Sequence, residues 1–186
     1  MPIIGTLLTA LVVAREWERG TLEAVFATPV SALELLASKF IPYFLLALAT
    51  MAACVAAAIF LFGVPFRGSF LAILALTAAF LAPALGQGLL ISSAAKNQFV
   101  ASQLALFSGF LPAMLLSGFM FEIESMPEPI RAITAIIPAR YFVTGLQTVF
   151  LAGDVWEVLL PVILKMLGLG AVLLFFAWRV TPKRIA

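Results

Sequence analysis

The chain has 186 residues, of which 64% are hydrophobic and 11% are charged, and its formal net charge is +2. Soluble domains are about half apolar and about a quarter charged. This chain therefore cannot cover itself with polar side chains, and its surface must face lipid. The small net charge gives no basis for nucleic-acid binding. Without histidine and with Cys54 as its one cysteine, the sequence excludes histidine-based catalysis, an internal disulfide and the usual zinc and haem sites, so we predict neither catalytic nor metal-ligating residues.

The first 14 residues are apolar, but they are fewer than the about 20 residues that cross a bilayer as a helix. No basic region precedes them and no small-residue cleavage site follows, so they do not form a signal peptide. We interpret residues 1–14 as the inner end of a truncated membrane helix, or as an interfacial segment, in a fragment of a longer chain.

Four later stretches are apolar and long enough to span a membrane. Three of them fall within residues 35–119, at about 35–62, 70–95 and 99–119, and the last lies at 158–178. Internal prolines are tolerated in such helices because neighbouring helices satisfy the freed carbonyls. The sequence therefore predicts an all-α integral membrane protein, a polytopic helical bundle.

Lysine and arginine predict the orientation of this bundle. With residues 15–34 inside, the inner connections carry Arg15, Arg19, Lys39, Lys96, Arg179, Lys183 and Arg184, whereas the outer ones carry Arg67, Arg131 and Arg140. The bias predicts a cytoplasmic C-terminal tail at 179–186.

The inner segment 15–34 contains the densest charged run of the chain, Arg15-Glu16-Trp17-Glu18-Arg19. Leu22, Val25 and Phe26 follow at helical spacing, which predicts an amphipathic helix at the inner membrane surface. One interpretation is an interfacial anchor with a solvated charged face and Trp17 at the headgroups. The other is a docking element for a cytoplasmic partner.

This run resembles the signature of ABC-2 type transporter permeases, in the bacterial drug-export-like branch. That signature is roughly R-E-x-E-x-G-T-x-E, then T-P and a lysine before the next span. The matching residues are Arg15, Glu16, Glu18, Gly20, Thr21, Glu23, Thr28, Pro29 and Lys39. The resemblance implies that this segment, with Trp17, is a coupling helix that contacts an ATP-binding subunit.

The outer segment 120–157 contains an apolar stretch that Pro138 interrupts, which predicts short helices at, or dipping into, the outer leaflet. It too resembles the ABC-2 family, whose chain re-enters the outer leaflet here. The matches are Leu116, Ser117, Gly118, Met126, Pro127, Pro138, Tyr141 and Phe142. Glu122 and Ile137 depart from the family's frequent proline and asparagine. Glu122 and Glu124 are interpreted as part of a solvated loop rather than as an acid–base pair.

Lys165 falls inside the last predicted span, roughly 10 Å from its outer end at 1.5 Å per residue. An intramembrane charge is a functional candidate. A lysine at that depth can equally extend its ammonium group to the membrane surface.

Three function classes follow from these observations. The resemblance implies the membrane permease of an ATP-driven exporter in a bacterial inner membrane, paired with a second permease subunit. Since the chain lacks G-x-x-x-x-G-K-[ST], it is expected to bind no cofactor, and ATP and Mg²⁺ would be held by a partner ATPase. The first alternative is an ATP-independent carrier or channel, and the second is a membrane-embedded enzyme. The family moves drugs, lipids, polysaccharides and ions, so the substrate stays open.

Overall fold

The computed structural model describes residues 2–20, 32–95 and 97–181, and within these ranges the chain is helical and contains no strand. In chain order, the longer helices of these described ranges are α1 Pro2–Glu18, α2 Ala32–Phe60, α3 Phe70–Ala95, α4 Gln98–Leu115, α5 Glu128–Thr134, α6 Pro138–Ala152 and α7 Trp156–Val180. Helices α2, α3, α4 and α7 are long and apolar enough to cross a membrane. The prediction of a polytopic helical membrane protein is therefore confirmed.

Helix α3 forms the centre of the bundle. In the apolar stretch of 18 residues that makes α3 long enough to span a membrane, 61% is buried inside the protein. The corresponding share is 17% for α2, 17% for α4 and 22% for α7. Leu76 and Phe80 of α3 pack in one core with Met51 of α2, Phe142 of α6 and Met166 of α7. The exposed apolar faces of the other three long helices are those expected to face lipid or another subunit.

Small residues allow α1 and α7 to approach α3 closely, as is common between membrane helices. A Cβ at Gly88 of α3 would overlap the Thr9 hydroxyl of α1. A Cβ at Gly170 of α7 would lie 2.7 Å from the Cβ of Ala82. Neither site has room for a side chain, so both glycines set the distances between helices.

Helix α1 is longer than the apolar stretch 1–14 because it continues through the charged run to Glu18. The chain then turns at Arg19 and Gly20, and Gly20 has φ +67, a left-handed conformation that favours glycine. The charged run is thus the last turn of α1 as far as Glu18. The remainder of the predicted coupling helix, with Thr21, Glu23, Thr28 and Pro29, lies outside the described residues, as does the end of the tail after Thr181.

Helix α4 is interrupted by a π-helical turn at Leu106–Phe110, between α-helical Gln98–Ala105 and Leu111–Leu115. It ends at Leu115, short of the predicted boundary at 119. Leu116 leaves the helical region at φ −112 and ψ 6, and Gly118 has φ +85.

The segment 120–157 holds the two short helices α5 and α6, which meet at an angle of 83°. Pro138 is the first residue of α6 and has no backbone N–H, so it suits a helix start and cannot continue α5. We call residues 134–138 the elbow. The structure thus contains two short helices here, and their position at the outer leaflet stays a prediction.

Candidate coupling site and transport groove

We call the end of the bundle that holds Glu18, Lys39 and Gln98 the inner end, following the predicted orientation, and the end that holds Ser69 and Asp154 the outer end. At the inner end, the Glu16 carboxylate of α1 forms an ion pair with the Lys39 ammonium of α2. The two side chains are 26% and 24% exposed. Such a half-buried pair is less screened by salt than a surface pair. It ties the last turn of α1 to the first turns of α2.

A second carboxylate in the same turn of α1 contacts the start of α4. Glu18 Oε1 accepts the backbone N–H of Gln98 at 2.9 Å, and Glu18 Oε2 accepts the Gln98 side-chain amide. These bonds, the backbone one first, hold the pKa of Glu18 below its usual value. A negative charge is also favourable beside the amides that begin a helix. Glu18 therefore joins two helices that are 80 residues apart in sequence.

The other predicted coupling residues take no such contacts in the described part of the chain. Arg15 and Arg19 are exposed, and Gly20 completes the turn. Trp17 belongs to α1, and it stands between Glu16 and Glu18 in the sequence. The sequence could not identify Gln98 as the partner of Glu18, because nothing in either segment shows a contact over that separation.

At the elbow, two side chains of α6 bond back towards α5. Arg140 Nη1 donates to the Thr134 hydroxyl at 2.6 Å, and that hydroxyl donates to the Arg131 carbonyl at 2.7 Å. The Tyr141 hydroxyl donates to the Ala135 carbonyl at 2.8 Å. Thr134 is fully buried. These bonds fix the angle between α5 and α6.

The other residues of the outer family motif make several separate contacts. Phe142 stacks on Phe80 of the central helix, with ring centroids 4.4 Å apart. Pro127 is the residue before α5, and the Met126 N–H donates to the Ile123 carbonyl at 3.2 Å in the preceding turn. Ser117 is buried. With Gly118, it lines an outer pocket of about 330 Å³ that also contains Glu122, Glu124, Thr144 and Gln147.

Lys165 lies on an exposed face of α7, and its ammonium group is 5.4 Å from the centroid of the Tyr141 ring. Lysine over an aromatic face is a favourable cation–π geometry. The structure thus gives Lys165 an aromatic partner within the outer motif, a contact that the sequence analysis did not anticipate.

A groove of about 540 Å³ lies between α1, α3, α4, α7 and the elbow. Its described lining carries no charged side chain. Its polar side chains are Thr6 of α1, Gln87 of α3 and Ser108 of α4, and Gln87 Nε2 donates to Ser108 Oγ at 3.1 Å. The rest is apolar and includes Ile136, Ile137 and Leu173. This lining suits a lipophilic molecule with few polar groups.

The π turn of α4 contributes Ser108 and Gly109 to this groove. π turns within α-helices are frequent at functional sites, because they widen the helix and leave backbone groups out of register. Helix α4 therefore has its first residue at the inner carboxylate Glu18 and its irregular turn at the groove.

Comparison with known proteins places this architecture in a family. Residues 1–179 match the family model described as ABC-2 family transporter protein. The chain is 48% identical over 185 residues to the Probable multidrug ABC transporter permease YbhS of Escherichia coli K12, covering 100% of this chain and 49% of the relative. It is 33% identical over 166 residues to the Probable multidrug ABC transporter permease YbhR of the same organism, covering 86% and 45%.

A more distant match is the ABC transporter G family member 20 of Dictyostelium discoideum, 24% identical over 162 residues, which cover 84% of this chain and 22% of the relative. The chain thus spans about half the length of the bacterial relatives that it matches. With the match to the family model over nearly its whole length, the chain belongs to the ABC-2 family of transporter permeases.

Proposed function

We propose that the chain is the C-terminal half of the permease of an ATP-driven exporter in a bacterial inner membrane. A separate ATP-binding subunit would hold ATP and Mg²⁺, and a second permease subunit would complete the membrane unit. Family membership, four membrane-length helices and relatives named as multidrug ABC permeases support this function.

The observation that carries the proposal is the pair of carboxylate links at the inner end. Glu16 binds Lys39 of α2, and Glu18 binds Gln98 of α4. The last turn of α1 is therefore linked through two carboxylates to helices that are long enough to cross the membrane. A partner that pushed this segment would move α1, α2 and α4, whereas an interfacial anchor would need neither link.

The predicted orientation is supported by which residues share the inner end. The bundle brings together the end of α1, the start of α2 and the start of α4 there, and Ser93 of α3 bonds Thr181 after α7 at 3.1 Å. Arg15, Lys39 and Arg179 belong to these helix ends, as the positive-inside rule expects for the cytoplasmic side. The C-terminal tail would then be cytoplasmic, with the elbow at the outer leaflet.

The groove is the proposed substrate contact. Since its described lining is uncharged, it favours lipophilic molecules over inorganic ions or polysaccharides. On this proposal the elbow, which forms one wall of the groove, separates the substrate from the outer pocket that carries Glu122 and Glu124.

The proposal is tested by purifying the full-length protein in mild detergent and identifying stoichiometric partners by mass spectrometry. We expect an ATPase with a Walker A motif, and we expect its loss in a Trp17→Ala, Glu23→Lys double variant. Glu157→Lys is the matched control, because it makes the same charge change at the start of α7, at the outer end. Folded full-length protein without an ATPase, in which transport survives ATP depletion and stops when an ion gradient is collapsed, would favour the ATP-independent carrier.

A further inference from the structure

We propose that Glu18 is a positioning residue that transmits movement of the coupling segment to α4, and through α4 to the groove. The inference rests on the proposed function, because it assumes that a partner ATPase moves the segment after Glu18. It goes beyond that function by assigning one side chain, and one helix, to the path between the partner and the substrate contact.

The first argument is that α4 has a cap of its own. Asn97 Oδ1 accepts the backbone N–H groups of Phe99 at 2.9 Å and Val100 at 3.2 Å, and the Asn97 carbonyl accepts that of Ala101 at 2.9 Å. An asparagine in this position is sufficient to begin a helix. The bond from Gln98 to Glu18 is therefore not needed to form α4, and its consequence is the connection between two helices.

The second argument is that α1 and α4 contact each other at both ends of the path. At the inner end Glu18 holds Gln98, and near the groove α4 passes so close to α1 that a Cβ at Gly109 would lie 3.2 Å from Thr6 Cγ2. Thr6 and Gly109 both line the groove. A displacement of α1 with α4 attached would therefore change the groove wall directly.

The third argument comes from comparing the two carboxylate links. Glu16 binds Lys39 of α2, but α2 contributes no residue to the described lining of the groove. Glu18 binds α4, which contributes its π turn. Of the two links, the one through Glu18 leads to the groove.

The π turn is the place where such a displacement can be absorbed. Helix α4 bonds regularly from Gln98 to Ala105 and changes its bonding pattern at Leu106–Phe110. An irregular turn can change its backbone angles at lower cost than a continuous α-helix can. The regular first part of α4 would move as a rod, and the wall formed by Ser108 and Gly109 would change shape.

The test uses the full-length permease with its ATPase in lipid nanodiscs. In a Cys54→Ala background, Phe107 of α4 and Leu164 of α7 are each replaced by a spin-labelled cysteine. The two residues are 65% and 59% exposed, so the labels have room. The distance between the labels is measured by pulsed electron paramagnetic resonance without nucleotide and with ATP plus vanadate. We expect vanadate-trapped ATP to shift this distance in the otherwise unchanged complex.

Two substitutions at Glu18 separate the link from other roles. Glu18→Ala removes the acceptor, so we expect the shift to be lost while ATP hydrolysis continues. Glu18→Gln loses the charge but keeps a carbonyl that accepts the Gln98 N–H, so we expect the shift to be retained. Equal loss in both variants would show that the charge itself acts on the partner, and it would overturn the inference.

Asp154→Ala is the matched control. At the outer end Asp154 Oδ1 accepts the backbone N–H of Ser69 at 2.7 Å, just before α3 begins, so the variant removes the same kind of bond from the other side of the molecule. We expect it to keep the shift. An unchanged shift in Glu18→Ala, or no shift in a complex that hydrolyses ATP, would overturn the inference and leave the proposed function standing. Absence of the ATPase from the unaltered complex would instead contradict the proposed function.

Discussion

The two ends of this bundle are held together by different chemistry. At the inner end two carboxylates of one helix turn, Glu16 and Glu18, bind side-chain and backbone donors of other helices. At the elbow, hydroxyl and carbonyl groups bond within one chain segment, and Phe142 stacks on the central helix. The Glu18 bonds to Gln98 are exposed and can exchange with water, whereas the bonds of the fully buried Thr134 hydroxyl at the elbow resist exchange. The comparison indicates an inner end suited to transmit movement and an elbow suited to hold its shape.

The largest expected effect comes from breaking the packing on which both ends depend. Gly88→Leu should destabilise the protein by about 3 kcal/mol or more, because its side chain would overlap Thr9 and the Thr6 carbonyl of α1. Thermal unfolding in detergent measures this loss. Gly168→Leu is the control, since a Cβ at Gly168 has no neighbour within 4 Å among the described residues, and it should unfold like the unaltered protein. Equal stability of the two variants would contradict the close approach of α1 to α3.

The next effect tests whether the elbow is rigid. Thr134→Val keeps the shape of the buried residue but removes the hydroxyl that binds Arg140 and the Arg131 carbonyl, so we expect a loss of about 1–3 kcal/mol. Chemical denaturation of the detergent-solubilised protein measures it. Thr144→Val should change little, because the exposed Thr144 hydroxyl bonds only to the Arg140 carbonyl of its own helix. A Thr134 variant as stable as the Thr144 variant would remove the contrast between the two ends.

A smaller effect is expected at the contact between α7 and the elbow. Lys165→Met removes the cation above the Tyr141 ring and should cost about 0.5–2 kcal/mol. Tyr141→Phe keeps the ring but loses the bond to Ala135, so it should lower stability without removing the lysine contact. A double-mutant cycle between Lys165→Met and Tyr141→Leu measures the coupling. Strict additivity would mean that Lys165 extends to the membrane surface without using the ring.

The smallest effect is the pH dependence of the exposed carboxylate bonds. Hydrogen bonds from the Ser69 side chain and backbone hold the pKa of Asp154 below its ordinary value, and those from the Gln98 backbone and side chain do the same for the pKa of Glu18. A carboxyl group whose pKa is lowered by folding stabilises the protein above its unfolded pKa, and this contribution is lost as the pH falls through the folded pKa. Unfolding temperatures measured down to pH 3 should therefore fall less steeply in Glu18→Gln and Asp154→Asn. Parallel curves for all three proteins would contradict the bonds.

Much of the fold was predictable from the sequence, since hydrophobic length alone indicates the four long helices and Pro138 indicates the break between α5 and α6. The end of α1 was harder to predict. The charges of residues 15–18 indicated a separate segment, although no residue before Gly20 stops the helix. The π turn of α4 has no sequence signal beyond the neighbouring Pro112.

The residues of the candidate site were predictable as a set, but not their partners. The family resemblance identified Glu16, Glu18, Tyr141 and Phe142. The bonds from Glu18 to Gln98 and from Lys165 to the Tyr141 ring depend on how distant segments pack, and a single sequence does not reveal that. The groove is likewise a property of five packed segments and not of any one of them.

The central claim, that the inner end and not the outer end receives an ATPase, is tested most directly by photo-cross-linking in the native membrane. A photoreactive amino acid replaces Arg19 in the exposed turn after α1, or Glu124 in the outer pocket, in the full-length protein. We predict that the probe at position 19 captures a protein with a Walker A motif and that the probe at position 124 does not. Capture from position 124 alone, or from neither position in cells that contain the folded permease, would contradict the claim.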